Sequence, residues 1–191
     1  MSAAFLVRRL ALLTCAMAAG LAAPVAAQTG AVVSVGAEAA LYDPSGATGH
    51  SLRFAPLVRL RLKSGFGPSA SIGGFQAGWG DSARLKVRAY MAGPAYRFER
   101  RRLAGSVSML AGYAFTRLEA APAGQRLRNT LAWQPSVSLW YDLSESLGLH
   151  ASVGYLLARP SLAVDGPYGT TTSRIRADAM VLRVGVAYTV F

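Results

Sequence analysis

One cysteine, two histidines and nine acidic residues are all that the 191-residue chain contains of those types. A single cysteine excludes a disulfide scaffold and a cysteine-rich zinc module. Two histidines leave any histidine-based metal site to be completed by other residue types. The sequence shows no phosphate-cradling loop and no metal cluster, so no cofactor is expected. Charge is also scarce, at 15% of residues, against roughly 25% in ordinary soluble domains. What charge there is leans one way: 20 Lys and Arg against 9 Asp and Glu give a formal net charge of +11. A chain that is 52% hydrophobic is not a disordered basic tail, because disorder goes with low hydrophobicity and dense charge.

The N-terminus reads as a secretory signal. Arg8 and Arg9 form a positive n-region, Leu10 to Ala23 is apolar apart from Thr14, and Val25-Ala26-Ala27 supplies small residues for cleavage after Ala27. The apolar run is broken by Gly20 and Pro24, whereas a spanning helix needs about 20 apolar residues. Residues 1–27 are therefore expected to be removed, leaving a single domain over 28–191. Losing Arg8 and Arg9 lowers the formal charge by two, to +9. The only cysteine, Cys15, goes with the signal.

Beyond residue 27 no run of 18 apolar residues occurs, so no transmembrane helix is expected. Alternation with period two recurs instead. In Ser51 to Lys63, Leu52, Phe54, Pro56, Val58, Leu60 and Leu62 share one face, opposite Arg53, Arg59, Arg61 and Lys63. In Ala83 to Met91, Leu85, Val87, Ala89 and Met91 oppose Arg84, Lys86, Arg88 and Tyr90. Leu103 to Thr116, Leu131 to Leu143, Leu147 to Leu157 and Met180 to Thr189 repeat the pattern, and Ala31 to Tyr42 and Pro68 to Trp79 show it more weakly. Eight strands of about 9–15 residues result, and a tilted membrane-crossing strand needs about 9–11.

The connections alternate in length. Those at 63–67, 99–102 and 144–146 are short; those at 43–50, 119–130 and 161–175 are longer and rich in Gly, Pro, Ser and Thr. Short turns on one side and long loops on the other suit an outer-membrane barrel, with the turns in the periplasm and the loops outside. A soluble barrel alternates too, but its charged face meets water. Aromatics near strand ends (Tyr42, Phe54, Phe66, Trp79, Tyr96, Phe98, Tyr141, Tyr188) favour the membrane, where they form interfacial girdles.

The chain ends Arg183-Val184-Gly185-Val186-Ala187-Tyr188-Thr189-Val190-Phe191. This resembles the C-terminal strand of Gram-negative outer-membrane β-barrels. Arg183, Gly185, Tyr188 and Val190 match the family's spacing of a polar residue, a Gly two on, and hydrophobic residues three and five after it. Phe191 supplies the terminal aromatic, one position beyond the family's usual register. Together with the export signal and the eight alternating segments, the chain resembles the small eight-stranded OmpA/OmpX-like barrels. The resemblance implies an all-β, antiparallel, up-and-down transmembrane barrel in the bacterial outer membrane. It also implies that Gly185, Tyr188, Val190 and Phe191 form a signal for the barrel-assembly machinery, and that the protein is a monomer. An eight-stranded interior is filled by side chains, so a wide porin is disfavoured.

With apolar faces toward lipid, Arg53, Arg59, Arg61, Lys63, Arg84, Lys86, Arg88 and Arg183 are expected to line a basic lumen, with Glu38 and Asp142 as the inward acids. Such a lumen serves either as a hydrated plug or as a narrow anion path. A second group, Arg117, Arg126, Arg128, Arg159, Arg174 and Arg176, falls toward the loops. Arginine forks suit phosphate, so this rim is expected to contact lipopolysaccharide. Nucleic acid is not an expected partner, since the cations form no single binding stripe.

Two sets of residues are candidates for catalysis. His150-Ala151-Ser152 resembles the His-x-Ser element of lipid A deacylase barrels, but its place near the periplasmic end is wrong for outer-leaflet chemistry. His50 with Asp81 and Ser82 resembles palmitoyl-transferring barrels only loosely, and Gly80-Asp81-Ser82 is ordinary turn chemistry. The expected function is therefore structural or interactive, with no catalytic residue. The alternatives are an outer-leaflet lipid A-modifying deacylase or acyltransferase, and a soluble periplasmic barrel that binds an anionic ligand.

Overall fold

The structure is a computed structural model that describes residues 32–61, 65–80, 83–120, 124–167 and 169–190. The expected signal peptide, Lys63, Asp81, Ser82 and Phe191 lie outside the described residues, and so does the Arg61 side chain. The strands are β1 (Val32–Ser45), β2 (Ser51–Arg61), β3 (Gly65–Trp79), β4 (Ala83–Arg100), β5 (Leu103–Glu119), β6 (Gln125–Arg128), β7 (Thr130–Asp142), β8 (Leu147–Ala158), β9 (Ser161–Gly166), β10 (Gly169–Arg174) and β11 (Asp178–Thr189).

Eight of them form one curled antiparallel sheet, in the order β2-β1-β11-β8-β7-β5-β4-β3. These match the eight alternating segments of the sequence, and β4 runs on to Arg100. The last strand pairs with the first, from Ser34 opposite Thr189 to Ser45 opposite Asp178. Neighbouring strands are otherwise neighbours in sequence, the signature of an up-and-down barrel. The remaining three strands, β6, β9 and β10, make a small separate sheet from the two longest loops. Polar composition and turn residues had marked those segments as loops. Their pairing depends on two loops meeting in space, which periodicity does not report.

Among the described residues no backbone ladder joins β2 to β3. Side chains and one loop bridge that seam instead. Thr48 exchanges two backbone hydrogen bonds with Gly78, of 2.9 and 2.8 Å. The Gln76 amide donates to Ser51 Oγ at 3.4 Å. The buried Gly74 amide donates to Tyr42 Oη at 3.1 Å. Arg183 Nη2 donates to Ser71 Oγ at 3.1 Å. These bonds answer the rule that a buried backbone donor needs a partner. Tyr42 and Trp79, expected in an interfacial girdle, are directed inward and pack in or against the core.

The outward face is apolar over most of its height. Leu52, Phe54, Ile72, Val107, Met109, Val137, Leu139, Val153, Leu182, Val184 and Val186 are all exposed. Phe98 lies across Gly105 of the next strand and covers the backbone that a glycine leaves bare. Pro68, Pro94 and Pro135 occupy one row across the wall, with Met109 between the last two. Proline cannot donate to a ladder, and the pairing of β4 with β5 lapses at Gly93 and Pro94.

The Tyr42→Phe variant removes the seam bond and leaves the Gly74 amide without an acceptor. A loss of about 1–3 kcal/mol is expected. It would be read as a lower urea midpoint for the detergent-folded barrel.

Candidate functional site: a two-part lumen and a basic outer wall

The interior has two halves of opposite chemistry. Toward the end that carries the short turns it is polar. Ser34, Ser71, Ser106, Ser108, Ser136 and Ser138 point in, and the last four bond in pairs across β5 and β7 at 2.8 and 2.7 Å. Among them stand the ionic groups. Arg59 Nη1 donates to Asp142 Oδ1 at 2.9 Å, and its guanidinium lies 4.5 Å from the centre of the Trp140 ring. Trp140 in turn stacks on His150 at 4.4 Å. His150 Nδ1 is 3.5 Å from Glu38 Oε2, and Arg183 Nε is 3.6 Å from Glu38 Oε1. These contacts span β2, β7, β8, β1 and β11.

Toward the end that carries the long loops the interior is apolar. Phe75, Leu85, Val87, Ala89, Met91, Leu110, Leu156 and Val181 form a continuous buried cluster, with Leu118 and Leu127 packed against it. Several of these side chains are completely shielded from solvent. The cluster fills this half of the barrel, as eight-stranded geometry demands.

This division corrects the expected lumen. Arg59 and Arg183 do point inward, and Arg53 is half-buried opposite the inward Ala40 of β1. Arg84, Lys86 and Arg88 do not. Leu85, Val87 and Ala89 between them occupy the apolar core, so the three cations face out. The expectation took the more apolar face of every strand as the outward one. In β4 the apolar face is needed inside. The two inward acids, Glu38 and Asp142, therefore meet fewer inward cations than expected.

On the outer wall those three cations join Arg117 of the rim. Arg88 stands opposite Phe115, Lys86 opposite Arg117, and Arg84 opposite Glu119. Lys86 Nζ donates to Glu119 Oε1 at 3.1 Å. That hydrogen bond, reinforced by the charges of Lys86, Arg117 and Arg84, holds the Glu119 carboxyl below the usual carboxylate range. Immediately toward the turn end lie Tyr90, Tyr113 and Phe115, in edge-to-face contacts at 5.8 and 5.2 Å. The remaining rim arginines, Arg126, Arg128, Arg159, Arg174 and Arg176, are exposed on the loop sheet and its flanks. Arg126 meets Asp165 at 3.4 Å and Arg159 meets Asp178 at 4.0 Å.

Outward aromatics fall into two belts. Phe54, Tyr90, Tyr113, Phe115, Trp133 and Tyr155 mark the loop end; Phe66, Tyr96, Phe98, Tyr141 and Tyr188 mark the turn end. The terminal segment is placed consistently with a lipid-facing strand, with Tyr188 and Val190 outward. Gly185 is pressed against the Ala37 carbonyl and the Glu38 side chain, where a larger residue would collide.

The candidate catalytic residues are dispersed. His150 and Ser152 share the inward face of β8 without a hydrogen bond between them. Glu38 does approach His150, although no acid near it in sequence could. His50 is an exposed loop residue whose Nδ1 lies 3.2 Å from Asp43 Oδ1. Sequence reasoning missed the Glu38–His150–Trp140–Arg59 chain because its members come from four strands. The hairpin register would have exposed the error in β4: pairing across the turn at 101–102 sets Arg88 beside the outward Phe115.

Two consequences can be measured. Replacing Glu38 with Ala strands Arg183 among buried neighbours, and a loss of about 3 kcal/mol or more is expected, read by denaturant unfolding in detergent. The apolar cluster across the loop half should give the intact protein no measurable conductance in a planar bilayer.

No protein-family model matches the sequence, and no curated protein matches it in sequence. Solved structures do match in shape. The outer membrane protein OprG from Pseudomonas aeruginosa aligns with a TM-score of 0.60 at 11% identity, over 84% of this chain and 95% of that one. The outer membrane protein AlkL, determined in lipid bilayers, aligns at 0.58 with 15% identity, over 84% and 89%. Neisserial surface protein A aligns at 0.53 with 14% identity, over 84% and 97%. Strand number, antiparallel order and these likenesses agree: the chain has the fold of the small eight-stranded outer-membrane β-barrels.

Proposed function

We propose that the protein is an outer-membrane barrel of structural and interaction type, without catalysis, whose loop end faces out of the cell and contacts lipopolysaccharide phosphate. The observation that carries this reading is the outer wall. Between the two aromatic belts every outward side chain named above is apolar, and charge appears beyond them, with Arg84, Lys86, Arg88 and Arg117 past the loop-end belt and Glu99, Arg100, Arg101 and Arg102 past the turn-end belt. A bilayer accepts such a band between aromatic girdles. In water the same surface would be a continuous apolar patch far larger than soluble monomers expose, which argues against the soluble periplasmic alternative.

The other elements fit that placement. The export signal at 1–27 delivers the chain, and the terminal Gly185, Tyr188, Val190 and Phe191 present it to the assembly machinery. Lipid satisfies the whole apolar circumference, so a monomer suffices. At the loop end Arg117, Arg128, Arg174 and Arg176 add positive charge where phosphate-rich lipid lies, alongside Arg126 and Arg159. The lumen acts as a rigid plug: its turn-side half is held by ion pairs and serine bonds, its loop-side half by packing.

Fractionation tests the placement. Mature protein that sediments with outer membranes and migrates faster before boiling than after is the expected result. Recovery in the periplasmic supernatant would overturn the reading. Lipid A mass spectra should be the same with and without the protein, and a change in acyl composition would restore the enzyme.

A further inference from the structure

The basic patch on the β3–β5 wall has features that rim charge in general lacks. Arg84, Lys86 and Arg88 alternate along one face of β4, and Arg117 stands directly across from Lys86. Like charges opposite one another on a sheet repel. One carboxylate, Glu119, answers four cations, and its hydrogen bond goes to Lys86. Among the described residues, Arg88 and Arg117 have no carboxylate partner. The patch therefore keeps a net charge of +3 on a surface directed away from the barrel. Beside it, β3 turns only Gly74, Gln76 and Gly78 toward the same face. Gly74 and Gly78 have no side chain, so that flank carries only Gln76 opposite Lys86 and Thr48 seated over Gly78.

Below the patch the chemistry changes within one residue step. Tyr90 pairs with Tyr113, and Ile72 on one side and Trp133 on the other extend an exposed apolar shelf. A ligand that satisfies both surfaces carries phosphate at one end and acyl chains at the other. It sits upright at the membrane edge, with its phosphates level with Arg88 and Arg117.

We infer that this wall is a docking site for lipid A, the acylated, bisphosphorylated disaccharide of the outer leaflet, held by Arg84, Lys86, Arg88 and Arg117 above the Tyr90–Tyr113–Phe115 shelf. The inference rests on the outer-membrane placement proposed above and assigns the contact to the barrel wall. The loop arginines then contribute general attraction. Lys86 and Arg117 hold one phosphate between them, which turns their mutual repulsion into shared coordination. Arg88, next to the aromatic ring of Phe115, lies lowest and meets the phosphate nearest the acyl chains.

Native mass spectrometry of the full mature chain, released from detergent micelles, tests the site. The probes are bisphosphorylated lipid A, its monophosphoryl form, and phosphatidylglycerol. The wild type is expected to retain the bisphosphorylated form best. The double variant R88Q/R117Q is expected to weaken that retention about tenfold or more, while R100Q/R102Q, exposed at the opposite, turn end of the barrel, changes it little. Heat-modifiable migration confirms that each variant is folded. Equal retention of phosphatidylglycerol would mean an unspecific anionic surface and overturn the inference. So would an equal loss of binding in the turn-end variant. An outer-membrane protein whose lipid A binding ignores R88Q/R117Q refutes only this site. A protein absent from the outer membrane refutes the placement beneath it.

Discussion

A hydrocarbon layer offers no hydrogen bonds, and that single fact organises this barrel. Each backbone amide and carbonyl must find its partner within the protein, so a spanning sheet has to close on itself. Pairing of β1 with β11 over twelve registered positions provides most of that closure. The seam between β2 and β3 shows how strict the demand is. Where a ladder is missing among the described residues, Tyr42, Ser51 and Thr48 supply acceptors to β3 one after another. Polar side chains that would be costly in a core are kept because they complete the backbone. The prolines at 94 and 135 obey the same constraint from the other side, since proline brings no donor that would need a partner.

Closure at eight strands then decides the interior. The radius is too small for a water-filled channel and must be filled. Two kinds of filling are used. At the turn end, charge meets charge: Arg59 with Asp142, and Arg183 with Glu38, which the His150 ring also approaches. Such groups cost more than they return unless they are well partnered; Ser71 accepts from Arg183, and the Trp140 ring lies against the Arg59 guanidinium and His150. At the loop end the filling is hydrocarbon, with Phe75, Leu85 and Val87 at its centre. A rigid plug in the first half and a dry one in the second leave a scaffold whose interactions are on its outside.

Much of this is legible in the chain itself. Alternation marked all eight barrel strands, because a strand between lipid and lumen must change character at every residue. The short and long connections fell on the correct ends for the same geometric reason. The loop sheet of β6, β9 and β10 was not legible, since its segments are short and pair only through their meeting in space. Nor was the partnership of Glu38 with His150, 112 positions away in sequence. The outward orientation of Arg84, Lys86 and Arg88 was not legible either. Alternation says that two faces differ. It does not say which one meets lipid, and register with β5 is what settles it.

The misreading of β4 has a physical origin in length. The strand runs 18 residues, nearly twice the 9–11 or so that a tilted crossing requires. Its later part lies within the membrane band and turns Tyr90, Tyr96 and Phe98 outward. Its first part extends past the band, where the outside is no longer hydrocarbon. There the strand follows the rules of a soluble barrel, with apolar side chains gathered inside and charge set outside. The switch occurs between Arg88 and Tyr90, while the apolar filling of the lumen continues past it to Met91 and Leu110. A barrel that outgrows its bilayer must invert its alternation at the interface. The residues on either side of that inversion are the ones in reach of lipid headgroups, so the scarce positive charge of the chain is concentrated where it has an anion to meet.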